Sequence, residues 1–248
     1  MSKHVDSLII IIPCFNEQER LKFSEIETLQ YQLGCNVLFV DDGSRDDTRD
    51  LLDTFCSNRE HFNYLSLSRN AGKAKAIHAG IKVALNDGYA LLGTYDADSA
   101  VSVNDYVKAK ALMLENPQVD LVSGARVLLA GSGVTRTKHR RWFGRIIATY
   151  INFVIGQDFY DPQSPCKLFR KSLIANLSSP RTRWFLDIEF ILSKNRTNFT
   201  AENSNTKILE FPLQEWKDVE NSKITPGQFL KIMKDLLILG SQRISLKH

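Results

Sequence analysis

The chain has 248 residues, 43% of them hydrophobic and 24% charged, with a formal net charge of +4. Such a length buries a sizeable core, and the balance excludes a disordered or low-complexity chain. The charge is too small to imply nucleic acid by its sum, so its placement along the chain carries the information.

The first half alternates. Short β-rich runs fall at LIIII (8–12), NVLFV (36–40), FNYLSL (62–67), YALLGTY (89–95) and VDLVS (119–123). Helix-like stretches at 17–32, 45–57, 72–86 and 103–115 separate them. Strand, helix, strand at this spacing predicts parallel βαβ units, and the continuous apolar character of the runs predicts a sheet covered on both faces. Ser44 and Asp47 in SRDDT have the spacing of a capping box at the start of the second helix.

After residue 125 the pattern changes. From Arg126 to Gln157 there is no Asp or Glu, but Arg126, Arg136, Lys138, Arg140, Arg141 and Arg145 are present. RRWFGRIIATYINFVIG (140–156) reads as an amphipathic helix with a basic start, RTRWFLDIEFILSKN (181–195) as a helix, and PGQFLKIMKDLLILG (226–240) as an apolar-faced helix.

Cys14, Cys35, Cys56 and Cys166 are widely spaced, with no CxxC pair and no His at zinc-site distance, so a reduced, cytosolic compartment is expected and the Asn-x-Ser/Thr matches at Asn176, Asn195 and Asn198 are not read as glycosylated. The first apolar run is stopped by Pro13, too early for a signal segment. No window reaches the ~18–20 apolar residues of a membrane span, so the chain is not expected to cross a membrane alone.

In an open parallel sheet, ligands bind where the strands end. The polar clusters fall there: PCFNEQE after the first strand, DDGSRDD after the second, SRNAGKAKA after the third and DAD after the fourth. Asp41 and Asp42 can accept hydrogen bonds from a ribose or a base, or simply cap the next turn. Lys73, behind Gly72 at a helix start, can meet a phosphate or remain a surface lysine. Asp96 and Asp98 are two like charges side by side, and an Asp-x-Asp at a strand end can hold a hard divalent cation through oxygen. An acidic turn capped by Asp98 is the alternative.

Together IIIIPCFNEQERL, VLFVDDGSRDDT, RNAGKAKAIHAG and GTYDADSA resemble family 2 of the nucleotide-diphospho-sugar glycosyltransferases, over residues 8–125. DPQSPCKLFRK (161–171), RWFLDIEFI, EFPLQEWKDVENSKITP (210–226) and MKDLLIL (233–239) resemble the dolichyl-phosphate glucosyltransferase branch and, more loosely, the mannosyltransferases. The resemblance implies an inverting, metal-dependent GT-A fold: an α/β architecture, mainly parallel and Rossmann-like, with helices on both faces. It implies one catalytic domain over 1–248, nucleotide-sugar-binding in 1–125 and acceptor-facing in 126–248. Pro13, Asn16, Glu17, Asp41 and Asp42 would line the nucleotide pocket, Lys73 would reach the diphosphate or base edge, Asp96 the ribose or metal, and Asp98 the metal, Mg²⁺ or Mn²⁺. Asp161, Asp187 and Glu189 occupy positions of acceptor-side carboxylates and are the catalytic candidates the resemblance implies.

Ser164-Pro165-Cys166 stands where the branch has Cys-Gly-Phe, so acceptor contacts there are expected to differ. The membrane helix common in relatives is not seen, which leaves a peripheral contact or a membrane-protein partner. The basic stretch, with Arg126, Arg136, Arg140 and Arg141, is expected to bind an acidic membrane surface or a lipid-linked phosphate. A solvated face is the plain alternative, and nucleic acid is disfavoured because stacking aromatics are not interleaved. The expected reaction moves a hexose, glucose first, from a nucleotide diphosphate sugar (UDP first) to a polyprenyl phosphate on the cytoplasmic face of a membrane. GDP-mannose as donor, a soluble glycan or protein hydroxyl as acceptor, and a silent sugar-nucleotide binder are the competing expectations.

Overall fold

Five consecutive apolar residues, Leu8 to Ile12, need two apolar faces to receive them. In a computed structural model, which describes residues 7–128, 133–135, 138–174, 178–197, 206–217 and 226–244, they lie in β1 (Leu8–Cys14) at the centre of a seven-stranded sheet. Leu8, Ile10 and Ile12 enter one core and Ile9 and Ile11 the other. This two-sided burial is why the strand shows no alternation.

The first half follows its expected order. Helix α1 (Phe23–Leu33) leads to β2 (Asn36–Asp41), α2 (Thr48–Cys56), β3 (Phe62–Ser66), α3 (Lys73–Asn86), β4 (Leu91–Thr94), α4 (Val103–Glu115) and β5 (Leu121–Ala125). β1 pairs in parallel with β2 and β4, and β2 with β3. Pro13 is tolerated in a central strand because the β4 ladder has ended at the Ile11–Thr94 pair, where a missing N–H leaves no bond unmade on that side.

The second half closes the sheet. A short β6 (Gly133–Thr135) precedes α5 (Lys138–Ile155), β7 (Lys167–Arg170), a 3₁₀ turn at Lys171–Ile174, α6 (Leu186–Thr197), β8 (Ile208–Pro212), β9 (Glu215–Lys217) and α7 (Pro226–Ile244). The order is β3-β2-β1-β4-β7-β5-β8, with β6 and β9 as a separate parallel pair. β7 is antiparallel to both β4 and β5, an insertion the βαβ reading did not anticipate. Residues of α1, α2 and α4 fill the core on one face, and residues of α3, α5, α6 and α7 fill the other.

The capping-box expectation for Ser44 and Asp47 is corrected. α2 starts at Thr48, whose N–H donates to Asp46 Oδ1 at 3.1 Å, while Ser44 Oγ accepts from the backbone N–H of Asn16 at 3.0 Å. Ser44 ties two loops together instead of capping its own helix.

Candidate functional site

The carboxyl ends of β1, β2, β3 and β4 lie side by side in the order of the parallel ladder, so their loops meet at one edge. The loop after β1 is knitted to the loop after β2. Asn16, held at φ 54°, accepts from Arg45 N–H at 2.9 Å, and Glu17 N–H donates to Thr48 Oγ1 at 2.8 Å. Asp41 and Asp42 are both buried. Asp41 receives the Ser44 N–H and the Ser66 hydroxyl, each at 2.9 Å. Asp42 receives the N–H groups of Ala71 and Gly72, each at 2.7 Å. The carboxylate of Asp42 thus holds the turn that delivers Lys73.

Gly43, at φ +69°, lies directly against that turn: a Cβ there would sit 2.6 Å from the backbone carbon of Arg69. Gly43→Ala would add left-handed strain to a backbone clash. It is expected to cost about 3 kcal/mol, read as a lower urea midpoint with an unchanged slope.

Lys73 Nζ donates to Asp96 Oδ1 at 2.6 Å. Burial pulls the Lys73 ammonium down, but Asp96, then Asp98 and Asp187, outweigh it and raise its pKa. Asp98 is pushed up by burial and then by the charge of Asp96. The Glu17 carboxyl is also raised, first by burial, with Arg20 opposing and Asp98 and Asp96 adding. Its Oε2 is buried without a hydrogen-bond partner. Glu17, Asp96 and Asp98 therefore form an acidic edge that Lys73 and Arg20 only partly neutralise. Hard carboxylate oxygens short of positive charge are the donor set for Mg²⁺ or Mn²⁺, so the residues fit the expected ion. No cluster of three or more His, Cys, Asp or Glu positioned around one ion occurs among the described residues. An ion at Asp96 and Asp98 would complete its shell with ligand and water oxygens.

Across β7, the residues expected on the acceptor side make a second cluster. Arg126 grips Asp161 bidentately, Nε to Oδ2 at 2.7 Å and a terminal nitrogen to Oδ1 at 2.8 Å, and its guanidinium lies 5.2 Å from the Trp216 ring. Glu210 receives the N–H groups of Tyr160 and Asp161 at 2.6 and 2.9 Å and fixes the loop. Arg145 covers the Tyr160 ring at 4.4 Å. Between them is a recess lined by Arg126, Arg145, Tyr160, Asp161 and Gln163. Asp187, in the first turn of α6, pairs with Lys167 Nζ, which also donates to Pro162 O at 2.6 Å. Pro165 turns its carbonyl to the Tyr106 hydroxyl at 3.0 Å.

Two expectations change here. Glu189 does not join Asp187 in the site: it is buried, with its oxygens taken by the N–H groups of Arg181 and Thr182 and by the Thr182 hydroxyl. It holds the turn before α6 and is removed as a catalytic candidate. Arg126 and Asp161, expected in separate roles, are one ion pair. Arg140 and Arg141 fall in the first turn of α5, and Arg136 lies outside the described residues. Lys167 is a residue of this second cluster that the sequence reading did not single out. The KLF strand carried it, without a sign of which neighbours it would meet.

Helices α5 and α7 carry exposed apolar residues. Trp142 is 71% exposed and Phe153 66% on α5, and Leu230 is 68% and Leu237 70% on α7. The two helices are joined by the Phe143–Phe229 rings at 5.7 Å and by the Tyr150 hydroxyl donating to Leu236 O at 3.0 Å.

A sheet in this order, with acidic and basic groups gathered at its carboxyl edge, defines a GT-A glycosyltransferase fold. A mannosyltransferase from Pyrobaculum calidifontis, solved with GDP-Man and Mn²⁺, superposes with a TM-score of 0.64 at 15% identity, covering 96% of this chain and 64% of that one. Glucosyl-3-phosphoglycerate synthase from Mycobacterium tuberculosis, solved with Mn²⁺, UDP-Glc and glycerol 3-phosphate, gives 0.55 at 13% identity, covering 97% and 78%. The family model "Glycosyl transferase family 2" matches residues 9–178, and the chain belongs to that family. Curated relatives include dolichyl-phosphate beta-glucosyltransferases, which are hexosyltransferases. The one from Trichomonas vaginalis is 25% identical over 92% of this chain and 68% of its own. The one from Homo sapiens is 26% identical over 94% and 74%.

Proposed function

We propose that the protein is an inverting, metal-dependent hexosyltransferase, a single catalytic unit that moves glucose from UDP-glucose to a polyprenyl or dolichyl phosphate. The observation that carries the reading is the strand-end cluster, where Lys73 meets Asp96 beside Asp98 and within electrostatic reach of Asp187. In this reading Pro13, Asn16, Glu17 and Asp41 shape the nucleotide pocket, Asp42 positions the turn before Lys73, and Lys73 binds the diphosphate. Asp96 and Asp98 would hold Mg²⁺ or Mn²⁺, which when bound neutralises charge on the departing diphosphate. The names of the curated relatives support glucose and a lipid phosphate.

A phosphate acceptor, with its second pKa near ~6, is mostly ionised at neutral pH and needs little help from a base. Asp161 and Asp187 are both ion-paired, which suits carboxylates that orient cations rather than collect a proton. Arg126 then meets the acceptor phosphate, helped by Arg136, Arg140 and Arg141. No helix among the described residues is long and apolar enough to cross a membrane. The apolar faces of α5 and α7 supply a peripheral contact on the cytoplasmic face, with or without a membrane-protein partner.

Competition between UDP and GDP for the site, measured by calorimetry with Mn²⁺, tests the donor assignment. UDP is expected to bind at least about tenfold more tightly, ~1.4 kcal/mol. A tenfold preference for GDP would move the donor to GDP-mannose.

A further inference from the structure

The loop between Pro180 and α6 places a third cation at the strand-end site. Arg183 packs on Gly72, the residue before Lys73. A Cβ at Gly72 would lie 3.1 Å from both the guanidinium carbon of Arg183 and one of its terminal nitrogens, and Gly72 holds a φ of +99°. The backbones interlock as well, since Ala74 N–H donates to Arg183 O at 3.2 Å. The Arg183 side chain therefore runs along the turn that presents Lys73 to Asp96. Its residue is solvent-exposed, and no carboxylate ion pair holds it among the described residues.

The loop is anchored from a distance. Asp235, on α7, is only 5% exposed and accepts the backbone N–H of Arg183 at 2.7 Å and of Trp184 at 3.2 Å with the same oxygen. A buried carboxylate spent on two consecutive amides fixes backbone direction, and a side chain on such a backbone is oriented before any ligand arrives. The C-terminal helix thus sets the direction in which Arg183 points.

We propose that Arg183 binds the diphosphate of the nucleotide sugar together with Lys73, and that Asp235 is the positioning residue for Arg183. The proposal rests on the nucleotide-sugar reading above. The chemistry is that of phosphate oxygens: a planar guanidinium beside an ammonium supplies a fork and a point charge to the same pair of phosphates. The donor is favoured over the acceptor as the source of those oxygens because Arg183 touches the Lys73 turn. The acceptor-side recess lies with Arg126 and Arg145, across β7.

The test is calorimetry of UDP and of uridine, with Mn²⁺, on the full chain, together with the KM for a polyprenyl phosphate. Arg183→Gln is expected to weaken UDP about tenfold or more while uridine binding stays unchanged, with Arg183→Lys in between. Asp235→Ala is expected to give the same selective loss for UDP at smaller size. If that variant does not fold, Asp235→Asn, which keeps one acceptor oxygen, should show a milder loss of the same selectivity. Equal losses for UDP and uridine, or none, would overturn the role. A rise in the polyprenyl-phosphate KM with UDP affinity intact would reassign Arg183 to the acceptor and overturn it also. Failure of the wild-type protein to bind UDP or GDP would bring down the nucleotide-sugar reading, and the proposal with it.

Discussion

Replacing Asp98 by alanine is expected to lower transfer at least about a thousandfold, ~4 kcal/mol of transition-state stabilisation, and to abolish the effect of Mn²⁺ on UDP binding. Asp98 is pushed up by burial and by the neighbouring Asp96, with only the Ala100 N–H, Lys73 and Arg20 opposing. Its charge is held against the interests of the fold, so the cation-free variant should be at least as stable as the parent. Loss of activity without loss of stability separates a functional carboxylate from a structural one. Calorimetry with UDP, with and without Mn²⁺, is the check, and a metal effect of unchanged size in Asp98→Ala would remove Asp98 as a ligand.

The second large effect is expected on the acceptor side. Changing Arg136, Arg140 and Arg141 together to Gln should leave UDP affinity nearly unchanged and strongly lower both sedimentation with anionic liposomes and transfer to a polyprenyl phosphate. Each cationic side chain near an anionic surface contributes about 1 kcal/mol, screened by salt, so three removed charges amount to a loss on the order of a hundredfold in membrane partitioning. Trp142 and Ile146 on α5 and Leu230 and Leu237 on α7 are exposed, and burial of such apolar residues in a membrane interface would add to the charge term. Parental liposome binding and parental transfer by the triple variant would make the stretch a solvated face and put a soluble acceptor first.

The parts of this fold that were legible from sequence are those in which local pattern and tertiary burial agree. β1, β2, β4 and β5 were visible because strands buried on both faces read as apolar runs, β3, an edge strand with only Phe62 buried, through its β-rich composition, and α4 matched its expected limits of 103–115. The expected start of α1 at residue 17 failed for a tertiary reason. Glu17 and Gln18 give their N–H groups to Thr48 and Asp46 across the strand edge, and the helix begins only at Phe23. The helix expected from residue 181 starts at Leu186 for a similar cause, because Glu189 and Asp235 claim the preceding amides. β7 has only four residues and takes its direction from β4 and β5, which no local pattern encodes.

The site divides in the same way. Its acidic edge was readable because Asp-x-Asp and Gly-Lys each sit within a few residues of a strand end. The pairing of Arg126 with Asp161, of Lys167 with Asp187 and of Arg183 with the Gly72 turn joins segments far apart in the chain, and only the fold brings them together. Glu189 shows the opposite hazard. An acidic residue two positions from Asp187 on the same helix points elsewhere, because positions i and i+2 do not share a helix face.

The central claim, transfer of glucose to a lipid phosphate, is tested most directly by incubating the protein with radiolabelled UDP-glucose, Mn²⁺ and a polyprenyl phosphate and measuring label extracted into organic solvent. Such transfer gives lipid-linked glucose that depends on the polyprenyl phosphate and disappears in Asp98→Ala. Label that stays in the aqueous phase as glucose or as a soluble glycoside, whether or not the lipid is present, would contradict it.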